Sequence, residues 1–197
     1  MRFFFPLTIV LAVGILLARD PGGLVTSAFS KITSASVASS VTTSGGATHY
    51  SPTENLEAID VGAIVNSRCD HLDVAMYSFT DWKLAEAIVS FANSGRLVHI
   101  YRDREQYQQE SGRNSRVPAM FQGHRNIQIR VKASTVLMHV KSWSDGCIVR
   151  DGSANWSPSG EKQQDNTLTL TSDSTAVQNF ETEFSTMWNR TDNTIIQ

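Results

Sequence analysis

The sequence predicts an α/β fold in which a mixed, largely buried β-sheet carries helices on both faces. Residues 72–79 (LDVAMYSF) and 97–101 (LVHIY) are short apolar runs typical of buried strands, and residues 82–93 between them repeat apolar side chains at helical spacing. A strand, a helix and a second strand in this order imply two parallel strands joined by a right-handed crossover. This unit indicates the α/β class.

The chain before the first of these strands predicts a helix. Apolar residues recur at roughly helical spacing between positions 56 and 65. Pro52 suits the first turn of a helix, and Ser51 or Thr53 can cap that turn. We expect the folded region to begin near Tyr50.

The helix over residues 82–93 has both of its ends marked. Thr80-Asp81 offers an N-cap, and Gly95 suits the left-handed position that follows a helix end. After the second strand, residues 102–122 are polar and predict a helix with a loop. The rest of the pattern predicts strands over 127–131, 136–143, 148–150 and 167–171, and a closing helix over 176–189.

The composition indicates one globular domain. Of the 197 residues, 41% are hydrophobic and 18% are charged, with a formal net charge of -2, which excludes a coiled coil and a disordered chain. The charge is unevenly spread, because residues 96–150 carry ten Lys and Arg against four Asp and Glu. This basic segment indicates either an anion-facing surface or a set of solvated loop and helix charges.

The N-terminal region predicts export. Residues 1–18 resemble a signal peptide or N-terminal anchor, and residues 19–48 form a Ser/Thr/Ala-rich linker before a domain over residues 49–197. The apolar run within the first segment spans about 22 Å as a helix, short of a roughly 30 Å hydrocarbon core, which favours a signal peptide. We expect a periplasmic or secreted protein, or one anchored to the inner membrane by this segment alone if it stays uncleaved.

The two cysteines, Cys69 and Cys147, are too far apart in the chain for a metal cluster of the C-x-x-C kind. An exported compartment permits a disulfide between them. Two buried free thiols fit the sequence equally well, so their pairing stays open.

The polar residues of the C-terminal half suit phosphate chemistry. Residues two apart on a strand share a face, so His139 lies with Lys141, and Ser153 with Asn155 if that segment is extended. Asp145-Gly146 between the pairs is a hairpin signal that brings them onto adjacent strands. Imidazole can attack phosphorus, while ammonium, hydroxyl and amide groups can hold phosphate oxygens without a metal ion. On spacing alone, a structural role for the histidine and lysine is the commoner outcome.

These residues resemble the His-x-Lys-Asp signature of the phospholipase D superfamily. His139 and Lys141 are followed by Asp145, by Gly152-Ser153 and then by Asn155. The similarity is closest to the exported, single-motif branch that contains Nuc-type endonucleases. It extends over much of the folded region, including the segments 50–52 (YSP), 77–82 (YSFTDW) and 164–166 (QDN).

The resemblance implies a role for each motif residue. It implies that His139 is the nucleophile and forms a phosphohistidine. Asp145 and Asp165 complete the implied catalytic set with Lys141, and Asp165 matches a carboxylate that orients the active-site histidine. The implied phosphate-binding residues are Lys141, Ser153 and Asn155. Neither a cofactor nor a catalytic metal is implied.

One departure from the family pattern concerns Asp145. Three residues separate Lys141 from Asp145, where the family has four. A one-residue deletion within a strand reverses the face of every later side chain, unless a bulge or an altered turn absorbs it. We expect Asp145 to cap the turn or to pair locally, while the other motif residues keep their roles.

A single copy of the motif predicts a homodimer. Superfamily members assemble two motifs around one site, so one copy per chain implies two chains that share one active site. Twofold pairing is also the commonest oligomer. The expected substrate is nucleic acid or another phosphodiester.

The resulting hypothesis is a metal-independent phosphodiesterase, and specifically a non-specific endonuclease of DNA or RNA. Two alternatives stay open: phospholipase D or phosphatidyl-transfer activity on lipids, and a catalytically silent nucleic-acid-binding protein of the cell envelope. Trp143 and Trp156 flank the motif and could stack on a base or a lipid chain, although core packing is the better interpretation.

Overall fold

The computed structural model describes residues 45–112 and 116–197. The predicted targeting segment (1–18) and most of the predicted linker (19–48) lie outside the described residues, so signal cleavage and membrane anchoring stay predictions. Among the described helices, none is long and apolar enough to cross a membrane.

Eight strands and six helices make up the described part of the chain. The strands are β1 (Ala47–Ser51), β2 (His71–Met76), β3 (Leu97–Arg102), β4 (Ile127–Val131), β5 (Lys141–Ser144), β6 (Val149–Gly152), β7 (Asn166–Thr171) and β8 (Thr194–Ile195). The helices are α1 (Leu56–Asn66), α2 (Trp82–Asn93), α3 (Arg104–Ser111), α4 (Arg116–Phe121), α5 (Pro158–Lys162) and α6 (Ser174–Trp188). Strand β1 begins inside the predicted linker, just before the predicted domain start at residue 49.

All eight strands join one mixed sheet in the order β1-β7-β6-β5-β2-β3-β4-β8. Strands β2, β3 and β4 are parallel, and the other neighbouring pairs are antiparallel. Helix α2 connects β2 to β3, whose register places Val74 opposite Ile100. The predicted strand-helix-strand unit and the α/β class are confirmed.

Helices cover both faces of the sheet because its central strands carry apolar residues on both sides. On one face, α1 and α2 pack on a core that includes Val74 and Ile100. On the other face, α6 packs through Phe184 and Trp188 against Ala75. Alternate side chains of β2 therefore enter different cores, as the period of two in a strand requires.

The first helix begins later than the sequence predicts. Helix α1 starts at Leu56 and is capped by Asn55, whose Oδ1 accepts the Ala58 backbone N–H at 3.2 Å. Ser51, one of the two predicted caps, ends β1 instead, and its hydroxyl donates to the Gln164 carbonyl at 2.7 Å. Strand pairing of the preceding residues thus overrides the local cap signal.

Both predicted ends of α2 are confirmed. At the N-terminus, Asp81 Oδ1 accepts the Lys83 backbone N–H at 2.9 Å. At the C-terminus, Gly95 follows the cap residue Ser94 with a φ of 91°. A residue without Cβ adopts this left-handed conformation at little cost.

The strand that carries the motif is shorter than predicted. Strand β5 covers only Lys141–Ser144, so His139 lies just before it and not within it. The neighbouring strand β2 ends at Met76, which pairs with Lys141, so the ladder has no partner strand beyond this point.

Cys69 and Cys147 form a disulfide, with their Cα atoms 6.4 Å apart. The bond settles the open alternative in favour of pairing. It ties the segment before β2 to the hairpin between β5 and β6. Closing a loop of 78 residues stabilises the folded state by about 4.5 kcal/mol in the chain-entropy view.

Candidate active site

Two predicted catalytic side chains meet at one aromatic ring. The His139 imidazole packs edge-on against the Tyr77 ring, with ring centroids 4.7 Å apart. Lys141 Nζ lies 5.2 Å from the centroid of the same ring, within the range of a cation–π contact. The structure therefore brings His139 and Lys141 together, although the histidine precedes the strand.

The two side chains have different environments. His139 is exposed, whereas Lys141 is buried and its ammonium donates to the His139 backbone carbonyl at 2.9 Å. Burial, and then the charge of Arg150, lower the pKa of Lys141 from its ordinary value. An exposed imidazole can reach a substrate, and a partly desolvated cation beside it interacts strongly with an anion.

Backbone hydrogen bonds hold the segment around His139. Asp103 Oδ2 accepts the Met138 N–H at 2.9 Å, and the Val140 carbonyl accepts the Tyr77 N–H at 2.9 Å. Tyr77 therefore positions His139 in two ways, through its ring and through its main chain.

A buried ion pair between Arg102 and Glu110 holds the backbone of the Tyr77 segment in place. Arg102 donates to the carbonyls of Met76 at 2.7 Å and Tyr77 at 3.0 Å, and it pairs with Glu110. Glu110 also accepts the Ser78 hydroxyl at 2.7 Å. Both members of the ion pair are buried, so Arg102 supports the site and does not face a substrate.

Arg150 links the two halves of the motif. Its guanidinium donates to the carbonyls of Lys141 at 2.5 Å and Ala154 at 3.2 Å, and its Nε donates to Asp60 Oδ2 at 3.2 Å. Removing one partner of a buried ion pair leaves an uncompensated charge, which is strongly destabilising. Arg150 therefore sets the spacing between the His-x-Lys segment and the Gly-Ser-x-Asn segment.

Asp60 is the common acceptor beneath the motif. The indole N–H groups of Trp143 and Trp156 donate to its two carboxylate oxygens at 2.8 Å and 2.9 Å. Both tryptophans are fully buried. Their interpretation as core residues is confirmed, and stacking on a base or a lipid chain is wrong for this structure.

Glu161 is a second carboxyl group next to Arg150, with its Oε1 3.3 Å from the guanidinium. Burial, together with the charge of Asp60, raises the pKa of Glu161 to about 9. One guanidinium cannot neutralise two fully buried carboxylates. Asp60 accepts three hydrogen bonds, and Glu161 keeps a proton at neutral pH. The contact of Arg150 with Glu161 is then a hydrogen bond and not an ion pair.

Gly152 and Ser153 are held against β7. A Cβ at Gly152 would lie 2.2 Å from the Thr167 carbonyl oxygen, so only glycine allows this approach. The Ser153 hydroxyl accepts the Thr167 N–H at 2.9 Å and donates to Asn166 Oδ1 at 2.9 Å. Ser153 thus stabilises the loop. For the predicted phosphate contact, its hydroxyl would have to donate to a phosphate oxygen in place of Asn166 Oδ1.

Asn155 and Asp165 differ in burial and in hydrogen bonding. Asn155 is half-buried, and its Oδ1 is buried with no hydrogen-bond partner among the residues that the structure describes. Asp165 is exposed, and within residues 45–112 and 116–197 no hydrogen bond joins it to His139. Phosphate binding by Asn155 and orientation of the histidine by Asp165 stay predictions.

Asp145 caps the hairpin turn between β5 and β6. Its Oδ1 accepts the N–H groups of Cys147 and Ile148, each at 2.9 Å, and its Oδ2 accepts the Ser67 hydroxyl at 2.6 Å. This is the local role that the shortened interval predicts. The three residues of the shorter interval, 142–144, all lie within β5 and pair in regular register with β2, and Asp145 follows the last paired residue, Ser144. A part for Asp145 in catalysis stays a prediction.

Several arginines of the basic segment 96–150 serve the fold. Besides the buried Arg102 and Arg150, Arg96 and Arg130 donate to backbone carbonyls of neighbouring elements. The segment as a whole is therefore not a continuous anion-binding surface.

Sequence reasoning does not find three positioning residues, namely Tyr77, Arg150 and Asp60. Tyr77 stands within one of the segments that carry the resemblance, and a polar aromatic residue after a buried strand is an available signal. Asp60 and Arg150 lie 90 positions apart, and no local pattern pairs residues over such a distance.

Comparisons with known proteins agree with this fold. The sequence profile of a family described as "Cardiolipin synthase, PLD-like domain" matches residues 61–188. Among curated proteins, none matches the chain significantly. A solved structure of similar fold is NucT from Helicobacter pylori, with 23% identity and a TM-score of 0.65 over 77% of this chain and 99% of that protein.

Two further solved structures share the fold. Nuc from Salmonella typhimurium, a phospholipase D family member, has 21% identity and a TM-score of 0.67 over 78% of this chain and 98% of its own. Phosphatidylserine synthase from Haemophilus influenzae has 12% identity and a TM-score of 0.61 over 77% of this chain and 40% of its own. At these identities the likeness shows the fold alone.

Proposed function

Because this chain belongs to the phospholipase D-like domain family, a family of phosphodiesterase-type enzymes, we propose that it is a metal-independent phosphodiesterase and specifically a non-specific endonuclease of DNA or RNA. The observation that carries the proposal is the convergence of an exposed imidazole, His139, and a buried ammonium, Lys141, on the Tyr77 ring. The resemblance to Nuc-type endonucleases and the fold shared with Nuc and NucT support the choice of nucleic acid.

The proposed reaction consists of two displacements at phosphorus. A neutral nitrogen of His139 attacks, the bond to the leaving oxygen breaks, and a phosphohistidine forms. The leaving oxygen takes a proton from the His139 of a second chain. That second histidine, now neutral, removes a proton from water, whose oxygen attacks the phosphohistidine and releases the phosphate product and free His139.

In this proposal the phosphate oxygens are held by Lys141, which lies next to the histidine, and by Asn155. Lys141 supplies a positive charge that burial makes more effective, because water screens it less. Asn155 supplies an amide whose N–H groups can donate to a phosphate oxygen, whereas its unpartnered buried oxygen can only accept a hydrogen bond. These groups stabilise the negative charge that develops in the transition state.

The test is hydrolysis of a generic phosphodiester, and of DNA, in the presence of a chelator. We expect His139→Asn to lose at least ~10³-fold in kcat, as removal of a nucleophile usually does. His124→Asn, which alters a histidine outside the motif, should keep the wild-type rate. Equal rates of hydrolysis by wild type and His139→Asn would remove His139 from the mechanism, and no hydrolysis by either chain would favour the catalytically silent alternative.

Binding of nucleic acid should also depend steeply on salt. Each phosphate neutralised by the protein releases counterions, so the logarithm of affinity should fall linearly with the logarithm of salt concentration. Fluorescence anisotropy with a labelled oligonucleotide measures this slope. Cleavage that requires an added divalent metal would contradict the proposed histidine mechanism.

A second candidate function is phosphatidyl transfer on lipids. The description of the matching family as a cardiolipin synthase favours it. Val136 and Leu137, which are 70% and 55% exposed just before His139, could contact an acyl chain. Parallel turnover measurements on DNA and on phosphatidyl substrates separate the two candidates, and faster lipid turnover would overturn the nuclease assignment.

The proposed location is outside the cytoplasm. The disulfide between Cys69 and Cys147 supports it, because such bonds form and persist in oxidising compartments. Fractionation of cells that express the full chain tests the proposal. Recovery of the protein in the cytoplasm with free thiols would contradict it.

A further inference from the structure

A second polar cluster lies on the α6 face of the sheet. His71 and Asp73 on β2 and Glu181 on α6 each present one potential ligand atom, and these three atoms lie within 4.8 Å of one another. The two β2 residues share a face because they are two positions apart. Tyr77 at the candidate active site is about 20 Å from His71 along the strand direction. The cluster is therefore separate from the phosphodiesterase motif.

The spacing within the cluster suits a transition-metal ion. His71 Nε2 lies 3.3 Å from Glu181 Oε2. Charge-assisted hydrogen bonds between such groups are usually shorter, about 2.7–2.9 Å. Two ligand atoms that each lie about 2.0–2.2 Å from a tetrahedral zinc ion are about 3.3 Å apart. The observed separation thus matches two ligands of one ion better than it matches a close ion pair.

Glu181 carries a polar atom that the protein does not satisfy. Its Oε1 is buried and accepts no hydrogen bond from the described residues. A carboxylate with a buried, unpartnered oxygen is costly unless a positive group reaches it.

Neighbouring residues hold two of the three side chains, Asp73 and His71, in place. His99 Nδ1 donates to Asp73 Oδ1 at 2.9 Å, and the His99 ring packs on Trp188 with centroids 4.7 Å apart. The hairpin turn covers His71 so closely that a Cβ at Gly146 would lie 2.8 Å from the imidazole Cε1. Supporting contacts of this kind orient the ligands in metal sites.

We propose that His71, Asp73 and Glu181 bind one divalent transition-metal ion, with Zn²⁺ as the ion of best fit. One imidazole and two carboxylates are a ligand set that zinc accepts, whereas Mg²⁺ and Ca²⁺ prefer oxygen ligands alone. On binding, the ion takes the place of the Nε2 proton of His71, which leaves to solvent, and water completes the coordination. The ion joins β2 to α6 and so stabilises the docking of the C-terminal helix.

The test measures zinc binding to the full chain. Protein stripped with a chelator is dialysed against Zn²⁺ at mildly alkaline pH, and bound metal is measured by elemental analysis. We expect Glu181→Gln and His71→Ala each to weaken Zn²⁺ binding at least ~10-fold. Glu183→Gln, an exposed position on the same helix, and His139→Asn should leave the affinity unchanged. Circular dichroism of each variant confirms that it is folded.

A second readout is thermal stability. Added Zn²⁺ should raise the Tm of the wild type and of Glu183→Gln, but not that of Glu181→Gln, because only a ligand of the folded state stabilises it. Added Mg²⁺ should have no such effect. Equal zinc binding by wild type and by both Glu181→Gln and His71→Ala, or no binding by the wild type, would overturn the proposal. Phosphodiesterase activity in a chelator does not depend on either result, so the two proposals fail separately.

Discussion

Asp60 shows how much of the motif geometry depends on residues outside the motif. It accepts two indole N–H groups and the Arg150 guanidinium in a fully buried environment. Arg150 in turn donates hydrogen bonds to the carbonyls of Lys141 and Ala154, one on each side of the hairpin, and so connects both to Asp60. The closeness of His139 and Lys141 could be predicted because they are two positions apart in the chain, although His139 precedes the strand, whereas the Asp60 anchor depends on a contact between distant parts of the chain.

Replacing Glu161 with Gln tests whether Glu161 keeps its proton next to Asp60 and Arg150 in the folded protein. Glu161 has an ordinary pKa of 4.5 in the unfolded chain and about 9 in the folded protein. Between these values the folded state binds a proton that the unfolded state releases, so wild-type stability falls as pH rises. Gln cannot titrate. We therefore expect the stability of Glu161→Gln relative to wild type to increase with pH across this window.

Urea unfolding at several pH values between 4.5 and 9 measures this difference directly. The mutant and the wild type are compared at each pH, so effects common to both chains cancel. A difference that stays constant with pH would mean that Glu161 is ionised in the folded protein and forms a true ion pair with Arg150.

At the scale of elements, the contact between β6 and β7 decides where the second half of the motif lies. The Thr167 backbone approaches Gly152 and also bonds to Ser153 through its N–H and its carbonyl. Strands β6 and β7 were individually predictable from their apolar and β-branched runs. The close approach of β6 to β7 was not predictable, because a glycine in the sequence does not indicate which backbone segment will pack against it.

Replacing Gly152 with Ala should separate β6 from β7. The added Cβ would meet the Thr167 backbone at 2.2 Å, which neither strand can relieve without moving. We expect a loss of stability of about 1–3 kcal/mol, as for other overpacked sites, together with a lower kcat because Ser153 and Asn155 shift. Thermal unfolding and phosphodiester hydrolysis measure the two effects.

Gly62→Ala is the matched control for this substitution. Gly62 lies within α1, where an added Cβ would meet nothing within 4 Å. Alanine in a helix interior is more favourable than glycine by about 0.5–1 kcal/mol, so this variant should be slightly stabilised and fully active. Equal effects of the two substitutions would show that the β6–β7 approach does not constrain the site.

At the scale of the whole molecule, one chain presents half of the predicted catalytic apparatus. His139 is exposed at the surface, and the apolar residues Val136 and Leu137 next to it are exposed as well. Exposed apolar residues beside a functional group often mark an interaction surface. A homodimer that shares one active site, as the family resemblance implies, would cover them.

Mixed dimers test this arrangement. Wild-type and His139→Asn chains are denatured, mixed in equal amounts and refolded, so that the subunits pair at random. If both histidines of a dimer are needed, activity should fall to about one quarter of the wild-type value, because only wild-type pairs are active. A value of about one half would mean that each chain acts alone. Sedimentation of the wild type gives the mass of the active species.

The sequence by itself determined what depends on neighbours in the chain. The crossover unit, the ends of α2 and the turn role of Asp145 follow from local periodicity and turn chemistry, and the closeness of His139 to Lys141 follows from their separation of two positions in the chain. The tertiary structure alone decided the rest: the disulfide, the late start of α1, the shorter β5, the Asp60–Arg150 anchor and the His71–Asp73–Glu181 cluster. These features join residues that are distant in sequence, and only packing of the sheet between its helices brings them together.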